Sequence, residues 1–308
     1  MKYNENIYEE MIKVVVRTLL DPKIDFVFKK IFGAESNKSV LIDFLNAVIK
    51  DKDPIVEVEL KNTDMEKEFL DSKFSRLDIK AVTDKKEHIN IEIQVKNEYN
   101  MIQRTLYYWS RMYSEQIGNG ENYNKLQRTI CINILGFKYL NNQEYHNVYR
   151  LKEVRRNEEL TDLMEVHFIE LPKFDEEVKS PGEIEKIDAL AKWIEFLREP
   201  ESNVVRKLEL EDKAIKKAKD ELYRLSLDDK ERERYRIREK TMMDEISALE
   251  NAEQKGIEQG IEQGIRRGKE EGAREEKIEI AKKLLDVLDS ETIAAKTGLT
   301  IDEIERLK

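Results

Sequence analysis

Residues 74–95, FSRLDIKAVTDKKEHINIEIQV, alternate apolar and polar side chains on both sides of a polar connector. In the first run Leu77, Ile79 and Ala81 face one way, and Arg76, Asp78 and Lys80 the other. In the second, Ile89, Ile91, Ile93 and Val95 oppose Asn90, Glu92 and Gln94. A period of two marks strands with distinct faces, and Asp84-Lys85-Lys86 reads as the turn of a β-hairpin. Centred on Lys85, the hairpin places Asp78 seven residues before the turn and Glu92 seven after it. Their Cβ atoms would then stand roughly 4.5–5.5 Å apart, a like-charge pair that costs up to about 1 kcal/mol. A hard divalent cation between them removes that cost, since Mg²⁺ takes carboxylate oxygens and keeps water positions open. The same alternation also fits a plain polar outer face, with Arg76 and Lys80 as countercharges. A one-residue slip in register would undo the pairing.

Upstream, Asp21-Pro22 is placed to open a helix. Ile24, Val27, Phe28, Ile31 and Phe32 recur at helical spacing, and Gly33 closes it. A second helix is expected over 36–49, with Val40, Leu41, Phe44, Leu45 and Val48 on one face, followed by a strand through Ile55, Val56, Val58 and Leu60. Downstream, 101–117 returns to helix with Tyr107, Tyr108, Trp109 and Tyr113. Residues 128–137 read as a buried strand, and 146–151 and 165–171 as weaker ones. The expected architecture is α/β, a mixed sheet flanked by helices over residues 1–175, followed by an all-helical C-terminal extension.

That extension has three parts. Residues 181–251 are expected to hold helices only, one of them amphipathic through Leu190, Trp193, Ile194 and Leu197. Over 252–277, Gly256, Gly260, Gly264, Gly268 and Gly272 recur every four residues. Each glycine costs a helix interior about 1 kcal/mol against alanine, so the segment reads either as a frayed linker or as a close-approach edge for self-association or a partner. Its charged residues exclude a membrane setting. Residues 278–308 give two short helices, the first carrying Leu284, Leu285, Val287 and Leu288, the second opening at Thr300 with Glu303 at capping-box spacing. With Gly298 between them they form a small helix-turn-helix-like module, read as a structural cap or partner-binding unit, with DNA contact as the alternative.

The bulk numbers bound the function. Of 308 residues, 40% are hydrophobic and 39% charged, so a compact core fills only part of the chain. A net charge of -10 argues against a histone-like, high-affinity DNA binder, though not against a local basic face. Cys131, alone and inside an apolar run, is expected to be a small core residue. No apolar stretch approaches the roughly 20 residues of a membrane helix, and residues 1–10 are unlike a signal peptide. The expected location is the cytoplasm. His88, His146 and His167 show no ligand spacing.

Asp78 followed by Glu92-Ile93-Gln94 on adjacent strands, with Asp25 on an earlier helix, is similar to the PD-(D/E)xK (restriction-endonuclease-like) nuclease fold. More narrowly, the chain resembles the Rpn family of recombination-promoting nucleases, also described as PD-(D/E)xK family transposases. The resemblance rests on the opening helix through Asp25-Phe26-Val27-Phe28-Lys29-Lys30, on Phe44-Leu45-Asn46, on Leu77-Asp78-Ile79 and Ile91-Glu92-Ile93-Gln94, on Gln103-Arg104 through Tyr107-Tyr108 with Gly120 and Tyr123, and on the glycine tail and Thr297-Gly298-Leu299. It covers nearly the whole chain. It implies a Mg²⁺- or Mn²⁺-dependent DNA endonuclease acting in recombination or mobile-element processing. The alternative it leaves open is a weak or inactive nuclease fold that assembles partners through the tail. On the resemblance, Asp78, Glu92 and the backbone carbonyl of Ile93 hold the metal, Gln94 stands where the wider superfamily has lysine, and Asp25 supports the metal or a water. Arg104, Tyr108 and Lys96 approach the phosphate.

Overall fold

The computed structural model describes residues 18–61, 78–177 and 188–308, with side chains excepted at 175–177. The expected strand residues 74–77, the polar stretch 1–10 and the start of the helical region at 181–187 lie outside the described residues. The chain divides into two compact units, Met1–Thr241 and Met242–Lys308.

In the first unit six strands form one mixed sheet: β1 (Val58–Lys61), β2 (Ile79–Thr83), β3 (His88–Gln94), β4 (Thr129–Leu135), β5 (His146–Lys152) and β6 (Glu159–Glu170). Their order is β1-β2-β3-β4-β6-β5, with β3, β4 and β6 parallel and the remaining pairs antiparallel. β3 and β4 are the central strands. Every residue of β4 is buried, as is all of β3 after His88, as expected of parallel strands covered on both faces. The helix α3 (Met101–Ser114) makes the crossover from β3 to β4 and covers one face. Its Met101 packs with Cys131, Leu135, Val166 and Phe168 of the sheet.

The other face carries the isoleucines of β2, β3 and β4. The helices α1 (Asp25–Phe32) and α2 (Lys38–Ile49) pack on that side. A side chain at Gly33 would meet the Lys29 carbonyl at 2.8 Å and Ile79 at 3.2 Å, so glycine is what lets α1 end against β2. Asp21-Pro22 forms a turn before α1 rather than its first turn. The Asp21 carboxylate accepts from Lys23 N–H, and the helix starts only at Asp25. The helices α5 (Ala189–Arg198), α6 (Asn203–Glu211) and α7 (Lys213–Leu227) belong to this unit; α4 (Leu171–Glu177) follows β6 directly. Leu190, Trp193, Ile194 and Leu197 are all buried, and Trp193 packs edge-on to Phe32 and Phe44 while its indole N–H donates to Asp43.

Opposite α3, the isoleucine face also buries an ionic network. Arg128, just before β4, binds Asp51, Glu87 and Glu165, and Glu165 continues through His167 to His146. Burial, with the neighbouring His167 and Lys50 charges, presses His146 down to about 4. Burial would raise the Glu165 carboxyl, but hydrogen bonds and charge from His167 and Arg128 outweigh it and hold it at about 2. In both cases the unfolded chain binds the proton more readily. The His146 contribution is complete above about pH 6.5 and lost as pH falls toward 4, and that of Glu165 is lost between about 4.5 and 2. Each is worth up to roughly 3 kcal/mol. Urea midpoints should therefore hold steady above pH 7 and fall in two stages below it, and a flat profile from pH 7.5 to 4 would exclude the His146 stage.

The helix α8 (Asp229–Leu284) is continuous; its part in the second unit includes all five repeat glycines, with open space around each and Ile257, Ile261 and Ile265 exposed beside them. Leu284 is its last residue, so Leu285, Val287 and Leu288 lie in a turn rather than a helix. The helices α9 (Ser290–Thr297) and α10 (Ile301–Glu305) follow, joined through Gly298 in the left-handed conformation (φ 72°), with the capping box of Thr300 and Glu303 formed. Ala281, Ile293, Leu299 and Ile304 make its small core.

Candidate functional site

The hairpin register decides whether the two carboxylates meet. β2 and β3 pair as Ile79↔Ile91, Lys80↔Asn90, Ala81↔Ile89 and Val82↔His88. One further step along this antiparallel register sets Asp78 opposite Glu92, the relation expected from centring the turn on Lys85. Across β3 and β4, Glu92 pairs with Asn133, and across β4 and β6, Asn133 pairs with Phe168. Asp78, Glu92, Asn133 and Phe168 thus form one row across the sheet, on the face that α3 covers. The Cys131 thiol reads the same arrangement: burial, then the charges of Glu92 and Asp78, push it up to about 12. Cys131 is a core residue, as its sequence setting suggested.

This polar face is buried. Asn90, Glu92 and Gln94 are 5%, 3% and 4% exposed, although their alternation would equally suit a strand with one solvated face. Gln94 Nε2 donates to the Lys96 carbonyl at 2.7 Å. Neither Gln94 Oε1 nor Asn90 Oδ1 has a hydrogen-bond partner among the described residues. Orphaned acceptors four residues apart on one face of a buried strand are costly unless an electrophile or water meets them. Gly136 supports this end of β3: its N–H donates to the Gln94 carbonyl at 2.8 Å, and a Cβ there would come within 3.1 Å of Val95 Cα.

The cations surround the row. Arg104 NH2 lies 2.6 Å from Glu92 Oε1, an ion pair without the alignment of a hydrogen bond, and its guanidinium sits 5.2 Å from the Tyr108 ring centre. Thr105, next on α3, donates to Asn133 Oδ1 at 3.0 Å. Lys80 approaches Asp78 at 3.7 Å, and Lys96 approaches Glu98 at 3.8 Å. Asp25 starts α1, and its carboxylate takes a two-pronged contact from Arg238 of α8, 2.9 Å at Nε. The structure therefore brings Asp78, Glu92, Gln94 and Arg104 to one face. Asp25 is held from the opposite end of the sequence by a residue that no local pattern could identify. Among the described residues no three His, Cys, Asp or Glu side chains cluster as a metal cage. Two carboxylates with orphaned amide oxygens beside them fit a cation that keeps several waters and takes few protein ligands, as Mg²⁺ does.

Asn90 and Asn133 were not singled out from the sequence. Asn133 interrupts an apolar run on a central strand, and that local signal marks it, whereas Asn90 is one of the alternating polar positions of β3. No curated protein and no solved structure matches the chain. No helix among the described residues is long and apolar enough to cross a membrane. Comparison with known families matches residues 22–252 to the PD-(D/E)XK nuclease family transposases. That stretch contains the whole sheet, the carboxylate row and Arg238, and the chain belongs to this family.

Proposed function

We propose that the protein is a metal-dependent DNA endonuclease that hydrolyses phosphodiester bonds, of the recombination-promoting (Rpn) kind, serving recombination or mobile-element DNA processing. The observation that carries this reading is the row in which the β2–β3 register sets part-exposed Asp78 opposite buried Glu92, with the orphaned oxygens of Asn90 and Gln94 alongside. Asp78, Glu92 and the backbone carbonyl of Ile93 would hold the divalent cation, Mg²⁺ or Mn²⁺. When bound, such an ion offsets charge on the phosphate and acidifies water.

The chain's own residues do the rest. Gln94 Oε1 accepts a hydrogen bond from the attacking water and orients it; an amide carries no charge and cannot take its proton. Arg104, one-fifth exposed, can exchange its hold on Glu92 for a phosphate oxygen, with Tyr108 keeping the guanidinium in place. Lys96 adds positive charge at the end of β3. Asp25 starts α1 on the isoleucine side of the sheet and is paired with Arg238; a supporting role at the centre rests on the family resemblance alone.

Supercoiled plasmid incubated with the full chain should be nicked with Mg²⁺ or Mn²⁺ and stay intact in chelator. Asp78→Asn should lower nicking by at least about a hundredfold, the scale of losing several kcal/mol of charge stabilisation. Equal nicking by wild type and Asp78→Asn would overturn the assignment. Absence of nicking at any metal concentration would leave a nuclease fold used for assembly, a role for which the exposed Ile257, Ile261 and Ile265 offer a surface.

A further inference from the structure

The carboxylate row does not end at Asn133. Its next member, Phe168, is a wall of an apolar cavity of about 290 Å³ between α3 and the β5–β6 edge. Ile102, Thr105 and Leu106 of α3 form one side, and Tyr149 and Phe168 the other, their rings 6.1 Å apart and edge-on. The rim is apolar yet open to solvent: Ile102, Leu106, Tyr149 and Leu151 are 43–46% exposed. Two strand spacings separate Phe168 from Glu92, about 10 Å. Thr105 belongs to both places, since it lines the cavity and bonds Asn133, while its neighbour Arg104 holds Glu92. The cavity and the carboxylates share one roof and one row of the sheet.

Resting on the nuclease reading, we propose that this cavity takes an unpaired nucleobase of the strand whose phosphate lies at Asp78 and Glu92. A base is flat, apolar on both faces and tethered to a phosphate, which suits an aromatic-walled slot a short reach from a cation site. Of the polar side chains in the lining, Thr105 is engaged with Asn133 and Arg150 with Glu159 and Glu165, and Tyr149 sets its ring edge-on to Phe168. The base is therefore held by stacking and burial, not by its hydrogen-bonding edge, and recognition is tolerant of sequence. A paired base stays inside its duplex stack and cannot enter. The substrate is therefore single-stranded DNA, or a duplex locally opened next to the cut.

The test is equilibrium binding of the full chain to labelled oligonucleotides in chelator, so that nothing is cut. Three probes of equal length are needed: a single strand, the same strand with abasic sites throughout, and a duplex. Wild type should prefer the base-bearing strand to the abasic one by about tenfold or more, the scale of stacking a base on an aromatic ring. Tyr149→Ala and, separately, Ile102→Ala on the outer surface of α3 should reduce that ratio below about threefold and leave abasic and duplex binding unchanged. The proposal is overturned if wild type binds the two single strands equally, or if both variants keep the wild-type ratio. Because base preference is read without hydrolysis, its failure is distinct from that of the nuclease reading, which the Asp78→Asn nicking assay reports.

Discussion

Glu92→Gln should abolish metal-dependent strand cleavage, by at least about 10³-fold, while leaving the protein folded. The replacement has the same shape and keeps both an acceptor and the packing of a site only 3% exposed, but it removes the charge. Two consequences follow from the geometry. The pair with Asp78 loses the charge that would bind a cation, and Arg104, 2.6 Å from Glu92 Oε1 in wild type, loses its counter-charge. The second effect separates a metal ligand from a merely structural acid. On the proposed reading a cation would compete with Arg104 for Glu92, so saturating Mn²⁺ should raise the unfolding temperature, as any ligand of the native state does; 100 times its Kd corresponds to about 2.7 kcal/mol. Glu92→Gln should show no such rise, and its stability without metal should drop only modestly because Arg104 reaches solvent. A variant that still cuts at the wild-type rate, or still gains the full Mn²⁺ shift, would remove Glu92 from the centre.

Much of this centre was legible in the sequence because strand alternation and turn position are local. The mirror spacing of Asp78 and Glu92 about Lys85 needs only a period of two and a turn, and the register obeys it. What alternation could not say was whether the polar face meets water. Burial of Asn90, Glu92 and Gln94 depends on α3 covering β3 and β4, a tertiary fact that arises only when the parallel strands assemble. Contacts between distant segments were equally silent: Arg238 reaches Asp25 across 213 residues of sequence. The helix start slipped from Asp21 to Asp25 because the Asp21 side chain closes a turn on Lys23 rather than capping α1. In the tail, the glycine cost argued against a long helix, yet α8 runs unbroken through all five glycines, exposed on every repeat. Propensity there is outweighed by continuity with good helix formers on both sides, Glu, Lys, Gln and Arg among them.

The buried network opposite the site was also missed, and it should produce the largest stability effect. Arg128→Ala is expected to destabilise the first unit by about 3–5 kcal/mol, the cost of removing one partner from a buried ion pair. For a unit of this size that is a fall of roughly 6–20 °C in unfolding temperature. One guanidinium here serves three carboxylates: Asp51 at 2.7 Å, Glu87 at 3.0 Å and Glu165 at 2.8 Å. Burial works against its charge, but hydrogen bonds and charge from Asp51 and Glu165 prevail and push its pKa above the usual arginine value. Removing it leaves Glu87 and the fully buried Glu165 short of positive charge, with Arg150 and His167 as the ionic partners that remain to Glu165 among the described residues. Arg128→Met combined with Glu165→Leu should recover most of the loss, because replacing a buried pair by apolar groups of similar volume is close to neutral, whereas breaking it is not. Melting curves on the two variants decide the matter. If Arg128→Ala melts within a degree or two of wild type, the network is a solvated surface cluster. If the double variant is as unstable as the single one, packing rather than charge accounts for the effect. The signal for this network was present at Glu165 and His167, two polar residues two apart in the stretch 164–169, whose other members are apolar. Their side chains lie on the face away from the carboxylate row, so Arg128→Ala should lower stability while cleavage by the protein that remains folded is unchanged.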